Sequence, residues 1–75
     1  MNTERMFKII IMELTSDKLK IEQELERTIN SDIEIDIKTK KIKDLLAKLV
    51  TTEASIVKFN IMLKPNENNE EKKQD

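Results

Sequence analysis

Seventy-five residues allow one small domain, and the absence of Cys, His and Gly narrows its chemistry sharply. Without Cys there are no disulfides or thiolate metal sites, and without His the usual general base and commonest metal ligand are missing. Without Gly there is no phosphate-cradling loop, dinucleotide fingerprint or nucleophile elbow. Fourteen basic residues against fifteen acidic give a net charge of −1, which offers nucleic acid no global attraction.

These exclusions point away from catalysis and from bound cofactors or metals. Thr15, Ser16 and Thr28 carry hydroxyls with no base to activate them. Glu22 with Glu26, and Asp32 with Glu34 and Asp36, are acidic groups of the kind that decorate helix surfaces. The longest apolar runs, Ile9–Met12 and Ile61–Leu63, fall far short of the ~20 residues of a membrane span. The N-terminal residues show no cleavage site of a secretory signal, so the expected location is the cytoplasm.

Along the chain, every seventh position from Phe7 reads Phe7, Leu14, Ile21, Thr28, Ile35, Ile42, Leu49, Ile56 and Leu63, apolar at eight of nine places. A second seam is broken: Ile10/Ile11, Leu25, Leu45/Leu46 and Phe59 fit it, whereas Lys18, Asp32 and Glu53 interrupt it. One strong and one weak heptad seam describe a short helical bundle better than a long uniform coiled coil.

The first helix is expected over residues 3–29, capped by Asn2 or Thr3, with Phe7, Ile10, Ile11, Leu14, Ile21, Leu25 and Ile29 inward. A turn is expected at Asn30-Ser31-Asp32. Asn30 there tolerates the left-handed conformation, and Ser31 with Glu34 has the spacing of a capping box. The second helix is expected over residues 33–64, with Ile42, Leu45, Leu46, Leu49, Ile56, Phe59 and Leu63 inward and Pro65 as its stop. Residues 65–75 carry no apolar side chain and read as a disordered polar tail. The fold class is thus all-α: an antiparallel two-helix hairpin over residues 1–64 that self-associates into a bundle.

A competing pattern is present. Phe7–Leu14, Ile33–Ile37 and Ile56–Leu63 have strand-like composition, so β-α-β-α-β is the alternative, with Ile33–Ile37 as an exposed edge. The heptad phase runs through all three segments and favours helix.

In the hairpin, the open end is apolar nearly all round, through Met6, Ile9 and Met12 on one helix and Val57, Ile61 and Met62 on the other. The turn end is expected to be charged. One hairpin of this size cannot cover such a surface, so it is expected to form a homodimer or higher oligomer, or to bind a host or phage protein. The expected anchors of that surface are Phe7, Ile10, Ile11, Leu14, Ile56, Phe59 and Leu63. Ala47, Thr51, Ala54 and Ser55 form a patch of small side chains on the other face of the second helix. The alternative function is nucleic-acid binding through Lys38, Lys40, Lys41, Lys43 and Lys48, which lack an Arg or a stacking aromatic among them. The short, Gly-free chain, rich in Ile, Lys and Asn, has the look of a small accessory protein of an AT-rich bacterium, phage or plasmid.

Overall fold

The computed structural model describes residues 2–63; the expected polar tail and the stop at Pro65 lie outside them. Two helices account for nearly all of this stretch: α1, Thr3–Ile29, and α2, Ile35–Leu63. They pack against each other as an antiparallel hairpin. At 1.5 Å per residue each is about 40 Å long. The β-α-β-α-β alternative is overturned, because Phe7–Leu14 and Ile56–Leu63 lie within helices and no described residue is in a strand.

α1 starts where Asn2, in an extended conformation, turns its side-chain Oδ1 onto the amides of Glu4 and Arg5 at 3.0 and 3.3 Å. This satisfies two of the four orphan donors of the first turn. Threonines inside the helices are accommodated by a local bond. Thr15, Thr39 and Thr51 each donate to the carbonyl four residues earlier, at 2.7, 2.7 and 3.0 Å.

The connection differs from the expected turn in two ways. Asn30 has φ −89° and ψ 1°, so α1 ends without a left-handed residue. The Asn30 amide donates to the Glu26 carbonyl, and the Ser31 amide and hydroxyl both donate to the Thr28 carbonyl at 3.1 and 2.7 Å. The Ser31 hydroxyl thus closes α1 rather than opening α2, and the helix begins at Ile35 instead of residue 33. Lys38 steadies the turn by donating from its ammonium to the Ser31 carbonyl at 2.9 Å.

The heptad seam holds the hairpin together. Phe7, Ile11, Leu14, Ile21 and Leu25 of α1 and Ile42, Leu45, Leu49, Ile56, Phe59 and Leu63 of α2 are all half-buried. Phe7 and Phe59 close the open end edge to face, with ring centroids 5.3 Å apart and planes at 69°. Lys18 and Glu53, which interrupt the seam in the sequence, pair across it at 3.5 Å, so each interruption is answered by the other. Both are about 40% exposed, and such a pair contributes at most about 1 kcal/mol. Thr28, the one polar side chain in the strong seam, is the only buried residue among those described, at 3% exposure.

Three expectations about facing are corrected. Ile29 and Leu46 are 51% and 44% exposed rather than inward, because one residue of α1, Thr28, already occupies the seam at that level and Leu45 does so on α2. Ile35 keeps the heptad count yet is 69% exposed, since α1 has ended before reaching its level. The turn end is also not simply charged: Ile29, Ile33, Ile35 and Ile37 all stand exposed there.

Candidate interaction surface

The hairpin buries no apolar side chain fully, while thirteen large apolar residues remain exposed among the described residues. A helix whose apolar positions exceed one stripe has more than one neighbour to find. The surface sorts into an open end and two long sides.

At the open end, the seven expected anchors are placed in the hairpin's own seam. Phe7, Ile10, Ile11, Leu14, Ile56, Phe59 and Leu63 are each half-buried. Their first task is to hold α1 to α2. The apolar atoms free for another molecule belong to the ring around them: Met6, Ile9, Met12, Val57, Ile61 and Met62.

Two ion pairs identify the sides. Glu24 reaches Lys41 at 3.7 Å across one edge of the seam, and Glu53 reaches Lys18 at 3.5 Å across the other. In an antiparallel pair, positions three, four and seven residues away along each helix stay on the same edge. The Glu24–Lys41 side carries an open groove of about 560 Å³, lined by Asp17, Lys20, Ile21, Ala47, Lys48 and Thr51 among others. Of the small-residue patch, Ala47 and Thr51 border this groove, while Thr51, Ala54 and Ser55 line a second hollow of about 510 Å³ beside it. The Glu53 side carries Met12 and Leu19 on α1 and Leu46, Val50 and Val57 on α2, between 44% and 70% exposed. This second apolar stripe is absent from the sequence-based anchors. Its signal was there at half length: Met12 and Leu19 are seven residues apart, as are Val50 and Val57.

The five lysines of the candidate nucleic-acid contact are not brought together. Lys38 sits half-buried on the turn carbonyl of Ser31, and Lys41 is paired with Glu24. Lys48 borders the groove beside Asp17, and exposed Lys40 and Lys43 lie on other parts of the α2 circumference. Among the described residues no three acidic side chains cluster as a metal site, and no helix is long and apolar enough to cross a membrane.

No protein-family model, curated protein or solved structure matches the chain. The functional reading therefore rests on the surface itself.

Proposed function

We propose that this is a non-enzymatic interaction protein that acts by packing its exposed apolar helix faces against other helices, the first of them a second copy of itself in a four-helix bundle. The carrying observation is the mismatch, among the described residues, between a hairpin with no fully buried apolar side chain and a surface with thirteen exposed large ones. An ordinary soluble domain invests its large aliphatic residues in its interior. Here the interior is completed only when another apolar face is added.

Such a protein serves as an assembly element or as an inhibitor or recruiter of a cytoplasmic protein, a role suited to an accessory protein of a phage or plasmid. The dispersed and partly engaged lysines favour a protein partner over nucleic acid.

Leu19→Asp tests the reading. It lies on the surface, away from the seam, so a monomeric hairpin would tolerate it within about 0.5 kcal/mol. Placed in an interface, the same carboxylate is desolvated without a partner. Sedimentation equilibrium is expected to give about twice the 8.8 kDa chain mass for the parent protein, and a fall towards the single-chain mass for the variant. Parent and variant both sedimenting as single chains would contradict it.

A further inference from the structure

The α1 stripe on the Glu53 side has an order that specifies its occupant. Residues 5, 8, 12, 15, 19, 22 and 26, spaced by three and four, are Arg, Lys, Met, Thr, Leu, Glu and Glu. All are exposed except half-buried Glu22. Basic groups stand at the open-end half, acidic groups at the turn half, and apolar ones between. From this order we infer that the surface is self-complementary and that a second copy docks on it antiparallel, α1 against α1, about a two-fold axis through Thr15. This rests on the self-association proposed above and adds its geometry.

The pairing follows from residue numbers. Reversing one copy about Thr15 sets Arg5 opposite the other's Glu26, Lys8 opposite Glu22, and Met12 opposite Leu19. A two-fold interface requires a patch that complements itself in this way. On the same side α2 reads Lys43, Leu46, Val50 and Glu53, but the Phe7–Phe59 and Glu24–Lys41 contacts set Thr15 level with a point nearer the α2 C-terminus than the middle of that run, so the register rests on α1 alone. Some of these groups already have partners, since Lys8 lies 3.6 Å from Glu4 and Glu53 lies 3.5 Å from Lys18. Both contacts are exposed, and the cross-copy pairs join them at the rim rather than displacing a buried bond.

The apolar demand points to the same occupant. Met12, Leu19, Leu46, Val50 and Val57 cover the middle of this side, and among the described residues the hairpin buries no apolar side chain fully to compensate. A second copy supplies an equal apolar area at the same levels, with its turn end lying over the first copy's open end. The other arrangement, with both open ends together, sets Arg5 and Lys8 near the same groups of the second copy rather than against its acids.

The chain has no cysteine, so single substitutions report the geometry cleanly. Thr15→Cys in the full chain, oxidised at micromolar concentration, is expected to give a disulfide-linked dimer on a non-reducing gel, and Arg5→Cys is expected to give little. The charge order is tested separately. Arg5→Glu with Lys8→Glu is expected to weaken association about tenfold, since several rim pairs turn repulsive at once. Adding Glu22→Lys and Glu26→Lys to the same chain is expected to restore it. Cross-linking by Arg5→Cys in place of Thr15→Cys, or charge reversal without rescue, overturns the antiparallel geometry. If the parent chain sediments as a monomer, it is the self-association itself that fails. Circular dichroism of each variant separates these outcomes from loss of the helices.

Discussion

Phe59→Ala is expected to cost about 2–3 kcal/mol, below the roughly 3–5 kcal/mol of fully buried Phe truncations because the ring is only half-buried. The ring is nevertheless the one that Phe7 meets edge to face across the open end, and the two chain segments there have no turn to tether them. A small scaffold of this kind holds only a few kcal/mol of stability in total, so the variant should be largely unfolded at concentrations where the parent is helical. The measurement is a urea titration followed by circular dichroism, with Ile61→Ala as the comparison. Ile61 is 54% exposed in the same turns, and its truncation is expected to change a lone hairpin by no more than about 0.5 kcal/mol. A Phe59→Ala protein as stable as Ile61→Ala would contradict the seam as described.

Thr28→Val is expected to act in the opposite direction and to stabilise the protein by about 1 kcal/mol. Thr28 is the most buried of the described residues, and its hydroxyl has no hydrogen-bond partner among them. A buried polar group left unpaired costs on the order of 1–3 kcal/mol, and Val removes the hydroxyl while keeping the β-branched shape. The backbone bonds that close the turn use the Thr28 carbonyl, which the substitution leaves in place. The expected reading is a higher urea midpoint with an unchanged slope. A lower midpoint would mean that the hydroxyl has a partner in solution, a bridging water above all, and that the turn depends on it.

The heptad phase carried most of the fold, because both helices read the same seven-residue count and an antiparallel hairpin needs nothing else to bring Phe7 to Phe59. Boundaries were less legible. Ser31 and Glu34 satisfy the spacing of a capping box, but a serine hydroxyl can equally donate backward, and here it closes α1 at Thr28. Periodicity also cannot tell which of two adjacent apolar residues faces in, hence the exposed Ile29 and Leu46. Nor can it show that Ile35 has no opposite helix to meet. The lysine and glutamate that break the weak seam look like defects in one dimension, and only the hairpin shows that Lys18 and Glu53 answer each other.

The candidate surface divided in the same way. The apolar open end was visible from Met6, Ile9 and Met12 and from Val57, Ile61 and Met62, all exposed in the structure. The residues expected to anchor it are half-buried in the seam, where the heptad count also places them. The lateral stripe through Met12, Leu19, Val50 and Val57 needs the relative placement of the two helices. Four residues from distant parts of the chain share a side only after it has folded.

Because the apolar surface that would stabilise the fold is the same one that would meet a second copy, thermal unfolding should depend on concentration. The most direct measurement is the melting temperature of the parent protein by far-UV circular dichroism across a hundredfold range of concentration, since coupled dissociation and unfolding obey mass action. A strongly helical signal whose midpoint rises with concentration is the predicted result. A midpoint that stays constant, with full helicity at the lowest concentration, would show that the hairpin stands alone and would contradict the account.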